Sequence, residues 1–452
     1  MKPIISSFLP LLLIAEMMQP LHAQSSLHKL LQQAEANYPL LKSKAISIDA
    51  AKKNVEVSNS SIIPSLDASY QLDYATYNNI TGMSYPQFLT PISGPPSASN
   101  NFSGVFGSAT SLLLNWQPVT FGQREAQVAY SQAGVNYAVS DAQNEILQHK
   151  VRVANAYLDA ITTAELINIF KENLSRCEIN FSTTKTLVDA GIKPGVDTTL
   201  FAAEISKARV DLLNSKKNSE QSIIALSGLL ASAESITVSD SSYFNKLPLN
   251  YTLADTVKHP LLALYNSSIG LDKAKENEIS KTTRPTLGVW GTTYARGSGV
   301  QSDGSVKTLD GLGLQRINYG VGLQLSVPLL QSTKIKPQLQ LQGLRVKADE
   351  EKLNDITLQL SKQLQTADIT LNYALAIVKE SPLLVQSSRY AYTTMLSRYS
   401  AGLANYADVV QAQYNLLKAQ TDYKINYMAV WKALLYKATV SGDLNLFLNQ
   451  VN

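Results

Sequence analysis

Cysteine is all but missing: Cys177 is the only one in 452 residues. No internal disulfide is available, and no cysteine stands early in the chain to carry a lipid. Histidine is scarce and scattered over His22, His28, His149 and His259. With no Cys or His cluster, no metal site is expected, and His149 is expected on a coil surface or a pore wall. Charge is sparse, at 16% of residues and a net +4, which argues against a nucleic-acid partner. There is no phosphate-binding glycine loop and no serine nucleophile elbow, so neither a cofactor nor an enzyme activity is expected. No later stretch holds 18 unbroken apolar residues, so no transmembrane helix is expected.

What is present begins with an export signal. Lys2, an apolar run from Phe8 to Ala15 and a small-residue site after Ala23 read as a signal peptide over residues 1–23. Two short stretches then organise the chain. Ala190-Gly191-Ile192-Lys193-Pro194-Gly195-Val196-Asp197 and Ala401-Gly402-Leu403-Ala404-Asn405-Tyr406-Ala407-Asp408 share Ala-Gly, a five-residue gap and Asp. Each lies between long stretches poor in helix breakers. Glycine closes a helix in the left-handed conformation, and the Asp caps or starts the returning helix. Two such turns in matching surroundings make an internal repeat.

The first repeat, residues 24–230, opens with a helix over 27–60, apolar at Leu27, Leu30, Leu31, Ala34, Leu41, Ala45 and Ile48. Pro39 interrupts it and Pro64 ends it. The period then falls to two. Leu66, Ala68, Tyr70, Leu72 and Tyr74 share one face, and Ser65, Asp67, Ser69, Gln71 and Asp73 the other. A Gly/Pro/Asn/Ser-rich loop runs from about Asn78 to Gly107. A second strand carries Leu112, Leu114 and Trp116 and is expected to stop at Pro118. Residues 122–189 contain no proline, which as one helix is roughly 100 Å. It carries a seven-residue row of Ile146, Val153, Ala160, Ile167, Leu174, Phe181 and Val188. A partly polar companion row runs from Ala142 through His149, Ala156, Thr163, Phe170 and Cys177 to Thr184. The returning helix is expected to run from Asp197 to Ser227 and end at Gly228.

The second repeat, residues 259–452, retraces this plan after a linker over 231–258, where a small side element with a strand near Ile236 is expected. Pro285 follows Pro260 at the interval that separates Pro64 from Pro39. Strands are expected from Leu287 and over Tyr319–Val327 before Pro328, with a Gly-rich loop over Arg296–Arg316 between them. The last helix is expected to end at Gly442. Pro382 predicts a kink in the second long helix.

Four strands per chain, each apolar on one side, make an open sheet whose two edges a bilayer does not tolerate. Several chains together close it, with the polar faces lining water and Tyr70, Tyr74, Tyr77 and Tyr319 as interfacial aromatics. The repeat, the junction prolines Pro64, Pro118, Pro285 and Pro328, the segment Trp116-Gln117-Pro118-Val119-Thr120-Phe121-Gly122 and the two Ala-Gly turns together resemble the TolC-type outer-membrane efflux proteins over about residues 27–445. The resemblance implies an α+β membrane protein. Its homotrimer forms a twelve-stranded β-barrel in outer-membrane lipid, continued by a long α-helical coiled-coil barrel into the periplasm. It implies passive export as the exit duct of a tripartite efflux or type I secretion system, driven by an inner-membrane pump of RND, ABC or MFS type through a periplasmic adaptor. The adaptor would dock on Ala190, Gly191, Ile192, Ala401, Gly402 and Leu403. The family's inter-coil Asp–Tyr pair falls on Asp197 and Tyr399, and its two acidic rings fall on Asp408 and Gln411, so one acid is kept. Its tip Arg falls on Ala404, so that latch is absent. Each Asp is equally readable as a helix cap, Tyr399 as packing at the coil end, and Cys177 as a small coil residue. Three other readings compete with the channel. They are a soluble exported protein, an exported enzyme, and a structural or adhesive coiled-coil surface protein, which leaves the strands unexplained.

Overall fold

Proline sets the first boundaries. Pro39 opens a helix at its first position, where a missing N–H costs nothing, so the N-terminal helical stretch divides into α1 (Leu27–Asn37) and α2 (Pro39–Ser60). After Pro64 come β1 (Ser65–Ala75) and β2 (Val105–Val119), then α3 (Gln123–Asp189) and α4 (Gly195–Leu230). The second half supplies α5 (Pro260–Lys281), β3 (Thr286–Ser298), β4 (Arg316–Ser326), α6 (Gln331–Ser400), α7 (Tyr406–Ser441) and the short α8 (Asn445–Leu448). The computed structural model describes residues 26–76, 78, 99–232, 238, 240–249 and 259–450. The expected signal peptide, Tyr77 and the strand near Ile236 lie outside the described residues. In the described part of the linker there is a 3-10 turn, Ser241–Phe244. Among the described residues no helix is long and apolar enough to cross a membrane.

The described residues form two compact units, each drawing on both halves of the chain. One comprises Ala45–Asp141 and Ala263–Asp355 and holds the sheet. Its order is β1-β2-β3-β4, all antiparallel, with the first and last strands as free edges. The register fixes which side chains share a face, because successive residues alternate sides. Leu66 pairs with Leu114, Leu114 with Gly291 and Gly291 with Val321. Leu66, Ala68, Tyr70, Leu72 and Tyr74 therefore lie with Leu112, Leu114, Trp116, Leu287, Val289, Ile317, Tyr319, Val321, Leu323 and Leu325 on one apolar side. Many of these are bare, Tyr319 being 88% and Val321 83% exposed. The opposite side carries Asp67, Gln71, Asp73, Asn115, Arg296, Arg316 and Gln324, with Ala75, Val105, Ala109, Leu113, Trp290 and Tyr294 among its apolar exceptions.

Strand β2 begins earlier than its own alternation predicts, at Val105, because β1 pairs along that length from Val105 and β3 joins from Gly107. It also runs past Pro118 to Val119. The register slips between Trp116 and Val119, and a bulge is where a strand accepts a residue without an N–H. Two left-handed residues, Phe121 (φ 50) and Gly122 (φ 96), then turn the chain into α3. Arg124 holds that corner by donating to the carbonyls of Gln117 (2.6 Å) and Pro118 (3.4 Å).

The other unit comprises Met1–Lys44, Ala142–Leu262 and Ile356–Asn452. Its core packs Leu27, Leu30 and Leu31 of α1 with Val153, Tyr157 and Leu158 of α3, Leu226 and Leu230 of α4, Tyr243 and Phe244 of the linker turn, and Trp431 and Leu434 of α7. Gly228 does not end α4. The helix runs on to Leu230, and Ala231 takes the left-handed cap position at φ 49. Gly442 does end α7, at φ 77. Helix α6 continues through Pro382 to Ser400.

His149 is not a surface residue. It is fully buried, stacks on Tyr38 at 3.8 Å and donates through Nε2 to the carbonyl of Leu229 (3.0 Å) near the end of α4. His259 does the same for α7, donating to the carbonyl of Thr439 (3.2 Å), while its Nδ1 accepts from the N–H of Leu261 (3.0 Å) at the start of α5. Burial holds both imidazoles below their ordinary pKa; Arg152 adds to this at His149, and Glu145 opposes it. The folded chain thus binds fewer protons than the unfolded one. Their contribution is full above about pH 6.5 and is lost as pH falls through the lowered values, by up to about 1.4 kcal/mol per pH unit for each. Thermal midpoints measured from pH 7.5 down to about 5 should fall in the parent and fall less in His149→Gln/His259→Asn. Identical slopes would remove the histidines from the account.

Candidate functional site

The two Ala-Gly turns close their helices in the same way. After α3, the N–H of Ile192 bonds the carbonyl of Leu187 (2.8 Å) and that of Gly191 the carbonyl of Val188 (2.9 Å). After α6, Leu403 bonds Arg398 (2.8 Å) and Gly402 bonds Tyr399 (3.0 Å). This paired pattern requires a left-handed residue just past the helix, here Gly191 at φ 73 and Gly402 at φ 78. Ala190, Gly191, Ala401 and Gly402 are exposed, as are Ile192 (57%) and Leu403 (69%), so each tip presents a small apolar knob.

The two aspartates part company. Asn405 caps α7 by accepting from the N–H of Asp408 (3.0 Å), and Asp408 accepts in return from the N–H of Asn405 (3.1 Å). That is a complete capping box. In the first turn the cap position is Pro194, which has no side-chain acceptor. Asp197 instead turns inward, nearly buried, and accepts from the hydroxyl of Tyr399 at 2.8 Å. Tyr399 is 1% exposed, and burial, together with the Asp197 carboxylate, pushes its phenol up to about 12. Exposed Asp408 and Gln411 stand one helical turn apart on α7, and Gln411 donates to Asn415 (2.9 Å). Gln411 also lines a cleft of about 340 Å³ with Glu204, Lys207, Asp211 and Tyr406.

Further residues tie the two tips together without having been legible in the sequence. Lys193 donates from Nζ to the carbonyl of Ala404 (3.0 Å) and stands 4.2 Å over the ring of Tyr399. A cation therefore occupies the neighbourhood where Ala404 leaves the second turn without one. Phe201 packs edge-on against Tyr399 and Tyr406. Behind this, Asn180 is fully buried; it donates to Gln413 (2.7 Å) and accepts from the hydroxyl of Tyr392 (2.9 Å). Gln413 also reaches Asn173 (3.2 Å) and the sulfur of Cys177 (2.9 Å). The seven-residue spacing of Cys177 and Thr184 marks this seam, but the buried amides do not stand out from surface ones in sequence.

The model of the family described as outer membrane efflux protein matches residues 30–232 and 285–425. No curated protein is similar enough to the chain to match it. Among solved structures, the chain is similar to the Campylobacter jejuni CmeC outer membrane channel, at 15% identity and TM-score 0.71 over 92% of this chain and 85% of that one. It is similar to VceC, an outer membrane protein of Vibrio cholerae, at 14% identity and TM-score 0.69 over 92% and 96%. It is also similar to the open state of the Neisseria gonorrhoeae MtrE outer membrane channel, at 14% identity and TM-score 0.67 over 93% and 89%. At these identities the likeness establishes the fold.

Proposed function

The chain belongs to the outer membrane efflux protein family, and from that premise we propose how it works. It is an outer-membrane channel, the exit duct of a tripartite efflux system. In this reading three copies close the four-stranded sheets into a twelve-stranded barrel, and the helix hairpins of both repeats (24–230 and 259–452, joined by 231–258) wall a periplasmic duct. The observation that carries it is the sheet: one side is largely apolar, bare along β1 and β4 and half-buried over much of β2 and β3, and both edges are free. Lipid suits such a side, and closure between chains leaves no edge. The polar side then lines water.

The exposed turns at Ala190, Gly191, Ile192 and Ala401, Gly402, Leu403 are the contacts for a periplasmic adaptor, through which an inner-membrane pump of RND, ABC or MFS type drives export. No chemistry is proposed for this chain. The Asp197–Tyr399 bond, with Lys193, is a lock between the hairpins, and three copies of Asp408 ring the duct at its tip. An adhesive coiled coil would give the apolar sheet side nothing to do.

Single-channel recording in planar bilayers tests the duct and the ring together. The parent protein should conduct and prefer cations, since three carboxylates around a narrow pore focus a negative potential. Asp408→Asn keeps an oxygen for the N–H of Asn405 and removes the charge. Cation preference and block by multivalent cations from the periplasmic side should weaken, with assembly unchanged. Gln411→Asp should strengthen both by adding a second ring. Unchanged selectivity at low salt in Asp408→Asn would leave Asp408 as half of a capping box, and absence of any conductance in the parent would remove the duct.

A further inference from the structure

The loop between β3 and β4 is not a loose hairpin end. It folds back over the sheet. Gly299 donates to the carbonyl of Phe106 (3.0 Å), Lys307 to that of Gly299 (2.7 Å), and Gln315 to that of Arg296 (3.0 Å). Val300 bridges Val306, and a 3-10 turn spans Thr308–Leu312. The side on which it lies follows from the register. Gly297 pairs with Ser108, which pairs with Leu72, so a side chain at 297 would stand on the apolar side of the sheet. That space is taken: a Cβ at Gly297 would lie 1.8 Å from the carbonyl oxygen of Gly313. A Cβ at Gly311 would likewise lie 1.6 Å from the carbonyl oxygen of Phe106. Glycine at these two positions lets the loop backbone seat directly on the strands, burying Ser108 and Ala295 beneath it.

This seated loop exposes apolar side chains beside its polar ones, with Lys307 and Asp310 exposed among them. Leu309 is 69%, Leu314 48%, Leu312 46% and Val306 41% exposed. Phe106 on the same side adjoins it, and the ring of Tyr74 on β1 lies 5.0 Å from that of Phe106. Aromatic residues of this kind mark the level of the membrane interface on β-barrels. The loop's charges cancel locally, with Asp303, Asp310 and Lys307 on it and Arg316 at the start of β4, so an ionic headgroup is not what it selects.

We propose that residues 306–314 form an apolar foot that inserts into the outer-leaflet lipid, its leucines among acyl chains beside the aromatics of the sheet. The inference rests on the reading of the apolar side as the lipid side. It adds that the loop covers the end of this side with an apolar surface of its own instead of guarding the lumen. The foot fixes the height of the barrel in the leaflet, and its occupant is lipid hydrocarbon, chosen by continuity with the adjoining apolar side.

The test is nitroxide accessibility on the full chain in phosphatidylethanolamine–phosphatidylglycerol vesicles. Labels go on Leu309→Cys, on Leu323→Cys at mid-strand on the apolar side, and on Gln324→Cys on the polar side. Cys177 is 1% exposed and takes no label. The expected result is loss of broadening by a water-soluble nickel chelate at 309, with strong broadening by oxygen, as at 323 and opposite to 324. If 309 reads as water while 323 reads as lipid, the foot is wrong and the lipid-facing sheet stands. If 309 is shielded from both reagents, it is covered by protein, which also overturns the foot. If 323 itself reads as water, the sheet's orientation fails, and the foot with it. Leu309→Ser/Leu312→Ser/Leu314→Ser gives a second readout: labelled Leu323→Cys should shift in depth toward the interface, and an unchanged depth contradicts a role in setting height.

Discussion

Asp197→Ala raises the open population of the periplasmic tip by about one to two orders of magnitude, read as resting conductance in planar bilayers. The Tyr399 hydroxyl donates to a carboxylate at 2.8 Å in a nearly dry site, and a hydrogen bond to a charged group contributes about 1.5–3 kcal/mol. At about 1.4 kcal/mol per tenfold, its loss shifts a closed-to-open equilibrium by that range. Tyr399→Phe keeps the ring against Phe201 and Lys193 and should open the tip comparably. Asp197→Asn keeps an acceptor without charge and should fall between parent and alanine. The lock should be insensitive to pH near neutrality on the tyrosine side. Its pKa is raised by burial and by Asp197 to about 12, so its contribution is present below about 10 and lost as pH climbs toward that value. Conductance unaltered in all three variants would leave the pair as packing at the coil end.

Gly191→Val/Gly402→Val abolishes export in cells that carry the pump and adaptor, while the purified channel still assembles and conducts. No atom lies within 4 Å of a Cβ built at either glycine, so the effect is conformational and not a clash within the chain. At φ 73 and 78 an L-residue costs about 1–2 kcal/mol at each turn, and a β-branched one relieves this by rebuilding the turn. That moves Ile192 and Leu403, the exposed apolar groups of the tips. The sheet belongs to the other compact unit, so assembly has no reason to change. Normal export in the double variant would mean that the adaptor contact lies elsewhere.

The turns and strands were legible because their signals are local. Strand β4 alternates cleanly, and the two glycines stand where each long helix must reverse. The difference between the aspartates was also written in the chain, three positions before each of them. Asn405 offers a side-chain acceptor to cap its helix and Pro194 does not, so Asp408 is engaged in a capping box and Asp197 is free for Tyr399. What stayed hidden depends on partners far away in sequence. His149 reads as a surface residue until the carbonyl of Leu229 and the ring of Tyr38 are beside it. Asn180 and Gln413 read as solvated until they meet. Gly228 looked like a terminator, yet tertiary packing carries α4 past it and places Ala231 in the left-handed cap at a cost no local rule anticipates. The early start of β2 has the same origin, since pairing with β1, joined by β3 from Gly107, recruits residues whose own propensity is weak.

The most direct test of the channel reading is the mass of the particle extracted in mild detergent. One chain offers four strands and two free edges, and three chains give a twelve-stranded barrel with none. Native mass measurement, or cross-linking in the membrane, should find three chains of 49.3 kDa each, less any N-terminal segment removed on export. A stable, monodisperse monomer in membranes would contradict the account.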